Sequence, residues 1–279
     1  AMFLNEMNAT YGGRTLMTGS RVLGSICYKC NYGNGIYINS RNSSGLNYTP
    51  QDITVRDVAF IDQDSNSYAI RVSDGVNITL DHITAMSTPG QGATTQRGLS
   101  TNDNQGQTIG TDITQNSLII TNYQATGFAG AGFTIAGFNT WTGAGVISYN
   151  NGSVGSPTFS YKNWSNASTA SPGMGTCKVW VPSGAAAKGA GVGGADIGAN
   201  VLYRYHNGVL TETPLWDPRT GEFSHGAEDA DGTNRVPGES LFDIHKRLNV
   251  NSNGCPFPKN YGNGDSDQKP LAAPVLRVS

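Results

Sequence analysis

The feature that most constrains this chain is an internal repeat. Gly35-Ile36-Tyr37-Ile38-Asn39-Ser40 recurs as Ala69-Ile70-Arg71-Val72-Ser73-Asp74 and as Gly98-Leu99-Ser100-Thr101-Asn102-Asp103. A looser copy is Gly132-Phe133-Thr134-Ile135-Ala136-Gly137. The copies start at 35, 69, 98 and 132, so the steps are 34, 29 and 34 residues. Steps of roughly 20–50 residues mark stacked architectures, in which one unit cannot bury its apolar side without its neighbours.

A second element runs between these copies. Asp52-Ile53-Thr54-Val55-Arg56-Asp57-Val58-Ala59-Phe60 aligns with Asn77-Ile78-Thr79-Leu80-Asp81-His82-Ile83-Thr84-Ala85, and Asp112-Ile113-Thr114-Gln115-Asn116-Ser117-Leu118-Ile119-Ile120 reads as a third copy. Within each copy apolar residues alternate with period 2, then slip by one at a polar pair, as a bend between two strands requires. A period of 2 rather than 3.6 excludes helical repeats. Turn dipeptides do not recur every 8–12 residues or so, as a β-sandwich would demand. The expected fold is all-β: a right-handed parallel β-helix, three faces to each turn, with Ile36, Ile70, Leu99 and Phe133 stacked inward and Ile38, Val72, Thr101 and Ile135 beside them.

Composition agrees and narrows the class. Charged residues are 14% of the chain, the net charge is −2 and glycine numbers 37 of 279, against about 25% charged and 7% glycine in an average soluble protein. No Lys/Arg run supplies the basic face of a nucleic-acid binder. No apolar stretch of about 18 residues supplies a membrane span. Ala1-Met2-Phe3-Leu4 meets Asn5 and Glu6 at once, so no secretory leader is expected within this chain, which reads as a mature form or a fragment. A low-charge chain rich in Gly, Asn, Ser and Thr points to an extracellular or cell-surface location. Cys27, Cys30, Cys177 and Cys255 then read as one or two structural disulfides with the pairing open. A single Cys-x-x-Cys without a nearby His is a poor zinc site.

The Gly-Ile-x-Ile-x-Ser and Asn-Ile-Thr-Leu-x-x-Ile-Thr patterns resemble the pectate-lyase-like right-handed parallel β-helix superfamily, over roughly residues 20–170. The coils are expected over 1–170 and a loop-rich Gly/Pro-rich cap over 171–279, lying on the last coil and its open strand edge. This cap looks like the ends of uncharacterised bacterial β-helix proteins. Pro274 to Ser279 reads either as a linker into a further domain or as a final strand.

The outward residues of the first repeat define the candidate site. Tyr37, Arg71, Ser100 and Thr134 form one column; Asn39, Ser73, Asn102 and Ala136 form the next; Ser40, Asp74, Asp103 and Gly137 lie just beyond. Asp74 and Asp103 on neighbouring coils would sit about 5 Å apart and either share a proton or bind a cation. Asp62 and Asp64 lie on the loop entering the second strand of this face. The resemblance implies calcium held by acidic residues here, namely Asp62, Asp64, Asp74 and Asp103. It also implies acid/base duty for Asp74 and Asp103, with Arg71 at a sugar carboxylate. The bland alternative is a turn, since Asp74-Gly75 is a turn dipeptide. Tyr37, Asn39, Ser100, Asn102 and Trp141 are the candidate sugar-binding residues, Trp141 as an exposed ring in the loop Phe138–Gly143. His82 is expected on the solvent face of the bend, where Asp57 and Ser117 stand in the other copies. Sequons occur at Asn8, Asn42, Asn47, Asn77, Asn151, Asn163 and Asn166, with Asn77 alternatively part of an asparagine ladder. No complete lyase-type acidic cluster and no hydrolase or epimerase motif is present. The balance therefore favours a polysaccharide-binding or structural surface module over a lyase, hydrolase or epimerase, or over a tailspike-like glycan receptor working as a homotrimer.

Overall fold

The computed structural model describes residues 2–5, 18–28, 34–39, 50–62, 68–73, 75–87, 96–101, 117–135, 140–152, 164–219, 221, 248, 250, 254–259 and 261. These are almost entirely strand and loop. The helical piece among them is a short 3-10 turn at Val192–Gly194, and among the described residues no helix is long and apolar enough to cross a membrane.

Two parallel sheets share the strands. The first holds β1 (Met2–Asn5), β3 (Asn34–Asn39), β5 (Tyr68–Val72), β7 (Arg97–Thr101) and β9 (Ala131–Thr134), in that order. The second holds β2 (Arg21–Tyr28), β4 (Thr54–Ile61), β6 (Ile78–Met86), β8 (Ser117–Thr126), β10 (Thr140–Tyr149) and β11 (Trp164–Ser168), also in order. From β1 to β10 the chain thus alternates between the sheets, and every strand pairs in parallel with the strand two places along. β12 (Tyr203–His206) and β13 (Val209–Pro214) form a separate antiparallel hairpin.

The first-sheet register follows the repeat. Ile36 pairs with Ile70, Ile70 with Leu99, and Leu99 with Phe133. All four are buried, as are Ile38, Val72, Thr101 and Ile135. They face Val55, Leu80, Ile120, Ile83 and Tyr123 of the second sheet in one apolar cluster. Each sheet buries its inner face against the other, as packed layers around one core require.

In the second sheet Thr54 pairs with Thr79 and Val58 with Ile83, as the alignment expects. The third copy does not follow. Leu118, not Ile113, pairs with Ile78, and Tyr123 pairs with Ile83. Ser117 therefore stands beside Asn77, to whose backbone N–H it offers its hydroxyl oxygen at 2.7 Å, and the partner of His82 in the bend is Asn122.

That bend is one column of left-handed residues across six strands. Gly24 (φ +56°), Asp57 (+51°), His82 (+51°), Asn122 (+52°), Gly145 (+61°) and Asn166 (+52°) occupy it. Gly, Asn, Asp and His are the residues that enter this region most readily. One such residue reverses the alternation. In β4, Val55 is inward before it, and Val58 and Phe60 are inward after it. Ala59 and Ile61 are thereby turned outward into a second apolar cluster.

That outward apolar strip fixes where the C-terminal region goes. Its described part does not sit on the end of the stack. It runs along the outer face of the second sheet. A Cβ at Gly145 of β10 would lie 3.2 Å from Gly191 Cα. Val192 N–H donates to Asn122 Oδ1 on β8 at 2.9 Å, and Ala199 N–H to Thr84 Oγ1 on β6 at 2.9 Å. The ring of Tyr205 lies over Gly24 of β2, where a Cβ would meet it at 2.7 Å. Ile26, Tyr28, Ala59, Ile61 and Met86 pack there against Val179, Trp180, Val201, Leu202 and Trp216. Leaving such a strip in water would cost about 1.5–3 kcal/mol per large side chain. The Cys177–Cys255 disulfide is buried in the same cluster.

Candidate functional site

Two places gather chemistry-bearing side chains. The first is the outer face of the first sheet. Tyr37, Arg71, Ser100 and Thr134 are in register on successive strands. The Arg71 guanidinium lies over the Tyr37 ring at 5.0 Å and near the Tyr68 ring at 5.6 Å. Arg97 lies 5.6 Å from the other end of this group, over Tyr68, and donates to the Tyr68 hydroxyl at 3.2 Å. Ser73 donates to the Tyr37 hydroxyl at 3.0 Å. Tyr37, Arg71, Tyr68, Arg97 and Asn39 are half-buried, whereas Ser73 and Ser100 are buried. Ser100, although in register with Arg71, is therefore buried rather than exposed on this surface. Tyr68 and Arg97, which sequence reading passed over, belong to it. Their signal was register: Tyr68 precedes Ala69-Ile70, and Arg97 precedes Gly98-Leu99, at the same repeat position.

The remaining expectations divide. Asp64, Asp74, Asn102, Asp103 and Cys30 lie outside the described residues. Asp62 follows β4 in the second sheet, and its carboxylate lies 3.7 Å from Lys178 of the C-terminal region. Among the described residues no group of three His, Cys, Asp or Glu side chains could hold a metal ion. Trp141 is not an exposed loop ring. It lies in β10, partly buried against the core, edge-to-face with Trp164 at 5.3 Å. β10 starts at Thr140, so residues 140–143 of the loop expected there are strand. Cys177 pairs with Cys255, and Cys27 is also in a disulfide. Asn77 joins a polar ladder, donating to Asp52 Oδ1 at 3.0 Å. The Asn151 amide is used internally, accepting from Phe128 N–H and donating to Ala125 C=O, both at 2.8 Å.

The second place is buried, at the left-handed bend under the C-terminal segment. His82 is 7% exposed, so the solvent-facing expectation fails. The phase reversal turns this position toward the segment that covers the sheet. His82 Nδ1 lies 2.8 Å from Asp81 Oδ1, and Arg56 Nε lies 3.3 Å from Asp81 Oδ2. Thr121 donates to Asp81 Oδ1 at 2.7 Å. Asn122 is oriented by accepting from Val192 N–H, so its amide donors face Asp81 at 3.3 Å and His82 Nε2 at 3.4 Å. Nδ1 is thus in ion-pair contact with the Asp81 carboxylate, while Nε2 faces the Asn122 amide. Tyr205 donates to Asp57 Oδ2, and Asn200 N–H approaches Asp57 Oδ1 at 3.4 Å.

The environment sets the protonation directions. Burial pushes the Asp57 carboxyl above the ordinary carboxylate range, against the pull of His82, Tyr205 and Arg56. Burial also opposes ionisation of Asp81, but the bonds and charges of His82, Thr121 and Arg56 outweigh it and hold Asp81 low. Burial opposes charge on His82, yet Asp81 and Asp57 raise it. Burial and the adjacent Asp57 push the Tyr205 hydroxyl up, so it remains a donor. The cluster lies between the second sheet and the C-terminal segment and binds that segment, whereas the Tyr/Arg face carries half-buried polar and aromatic side chains. Compared with known family models, with curated proteins and with solved structures, the chain finds no match to any of them.

Proposed function

We propose that this chain is a right-handed parallel β-helix of the pectate-lyase-like kind, working outside the cell as a polysaccharide-binding or structural surface module. The observation that carries the reading is the Tyr37–Arg71–Tyr68–Arg97 surface, built from three consecutive strands of a parallel sheet. Parallel strands about 4.8 Å apart repeat their side chains along a line. A glycan is long, polar and shallowly bound, so it fits such a line better than a deep pocket. Tyrosine rings offer stacking area for sugar rings, and guanidinium groups pair carboxylate or sulfate oxygens in a fork. A chain whose described cysteines are all disulfide-bonded belongs in an oxidising compartment, where surface glycans are found.

The test is binding of the intact chain to soluble acidic and neutral polysaccharides by affinity electrophoresis. Arg71→Ala should weaken retention by an acidic glycan about tenfold, the scale of one charged hydrogen bond. Arg219→Ala, which removes a fully exposed arginine paired to Asp217, should leave retention unchanged. Equal losses would reduce the effect to diffuse charge, and retention of no glycan would overturn the reading.

A further inference from the structure

Outside both of those places, the C-terminal segment sets an amine and an amide against one carboxylate oxygen. Asp196 Oδ2 accepts from Lys188 Nζ at 3.0 Å and from Asn200 Nδ2 at 2.8 Å. Gly189 N–H donates to the other oxygen, Oδ1, at 2.9 Å, which fixes the carboxylate between its two partners. Val181 N–H donates to Asn200 Oδ1 at 3.0 Å. That bond distinguishes the amide oxygen from its nitrogen and polarises the carbonyl. Backbone bonds hold the frame. Ile197 N–H donates to Ala187 C=O at 2.9 Å, beside Lys188 and Asp196, and Val201 N–H to Val179 C=O at 2.8 Å, beside Asn200. Ala187, Ala195, Ile197 and Ala199 are buried, and the Asp196 side chain is 10% exposed. An ion pair alone would need the lysine contact and no other. Here the same oxygen also holds an amide whose carbonyl has its own donor.

We propose that Lys188 and Asn200 are the two halves of an intramolecular isopeptide bond, formed once per chain with Asp196 as its acid–base catalyst. Asp196 takes a proton from the Lys188 ammonium and leaves a neutral amine. The amine nitrogen attacks Asn200 Cγ, and the carbonyl electron pair moves onto Oδ1, where Val181 N–H stabilises the developing charge. Asp196 passes its proton to Nδ2 and takes the surplus proton from Nζ. The carbonyl re-forms, the Cγ–Nδ2 bond breaks, and ammonia leaves with that last proton as ammonium. One lysine ammonium and one asparagine amide thus become one secondary amide and one ammonium ion, with no oxidant or reductant consumed. Positioning supplies the rate, since well-oriented groups react as if at effective concentrations of about 10⁵–10⁸ M.

The bond closes residues 188–200 into a covalent loop. That loop carries Val192 and Ala199, whose N–H groups dock on Asn122 and Thr84 of the second sheet. Asn200 N–H itself approaches Asp57 of β4. Closing the loop in advance removes part of the chain entropy that docking otherwise costs.

Intact mass spectrometry of the reduced full chain reads the step directly. The wild type should be lighter than its sequence by one ammonia. Its tryptic digest should hold a branched peptide that joins Lys188 to Asn200 and is uncut after Lys188. Lys188→Arg keeps a cation beside Asp196 but lacks the amine, so that chain should carry its full sequence mass. Asp196→Ala should slow the loss at least about a hundredfold, the scale of general acid–base catalysis. A succinimide at another asparagine also loses ammonia, but it persists in Lys188→Arg and leaves Lys188 open to trypsin. A wild type at full sequence mass, or an ammonia loss that Lys188→Arg retains, overturns the proposal. If Lys188→Arg does not fold, a linear wild-type peptide ending at Lys188 overturns it equally.

Discussion

The outer faces of the two sheets start from the same kind of strand and end in opposite environments. On the first sheet the short strands carry no left-handed residue, and the large half-buried side chains are polar or aromatic-polar: Tyr37, Arg71, Tyr68, Arg97. On the second, β2, β4, β6, β8 and β10 are longer, and a left-handed residue in each breaks the alternation. Beyond the bend Ile26, Tyr28, Ala59, Ile61 and Met86 are turned outward, and the C-terminal region covers them. One backbone conformation repeated across neighbouring strands thus accompanies the face that the C-terminal region covers.

The largest effect should come from freeing the cover. The Cys177–Cys255 disulfide closes a loop over a separation of 78 residues, and losing such a bridge typically costs about 2–5 kcal/mol. The Cys177→Ala/Cys255→Ala pair should lower the urea midpoint accordingly, with exchange rising first on the second sheet's outer face. A loss below about 1 kcal/mol would mean that the apolar strip holds the segment without help.

Ile70→Ala and Ile61→Ala come next, each at about 2–5 kcal/mol because each side chain is wholly buried. They sharpen the contrast by location. Ile70 lies between the sheets, so its loss should loosen both; Ile61 lies under the C-terminal region, so exchange should rise there. Identical exchange patterns would merge the two cores into one cooperative unit.

Gly24→Ala should cost about 1–3 kcal/mol. It combines a left-handed backbone with a Cβ 2.7 Å from the Tyr205 ring. Gly19→Ala meets the same backbone penalty with nothing within 4 Å. The difference between the two, read from denaturation midpoints, isolates what Tyr205 packing contributes.

Much of this contrast was legible in the sequence and part was not, for a physical reason. The first-sheet register could be read because each inward apolar residue has an outward polar neighbour, as in Ile70-Arg71-Val72. The cover over the second sheet was missed because only inward positions were followed. Its signal is the unbroken run Val58-Ala59-Phe60-Ile61, all buried, which marks a strand covered on both faces. The third copy was misplaced because Asp112-Ile113-Thr114 imitates the start of the other two, while β8 begins at Ser117. Within β8, Leu118 and Ile120 are buried and Ile119 is 42% exposed, a pattern that alignment by residue type does not contain. His82 was assigned to solvent on polarity alone, although the neighbouring Asp81 supplies the partner that a buried imidazole requires.

The smallest expected effect tests whether the first sheet's outer face is as weakly tied to folding as its half-exposed residues suggest. Arg71 sits over Tyr37 at 5.0 Å, and such a contact at a partly exposed site contributes about 0.5–1 kcal/mol. The variants Arg71→Met and Tyr37→Leu, alone and combined, form a cycle that separates the contact from the two packing losses. Methionine keeps much of the arginine stem's apolar cover, so the coupling reports the guanidinium over the ring. A coupling within about 0.5–1 kcal/mol fits a face that folding tolerates losing and that is therefore kept for a ligand. A coupling above about 2 kcal/mol would make Arg71 and Tyr37 structural, and the two faces would then differ in how they are held together rather than in what they are for.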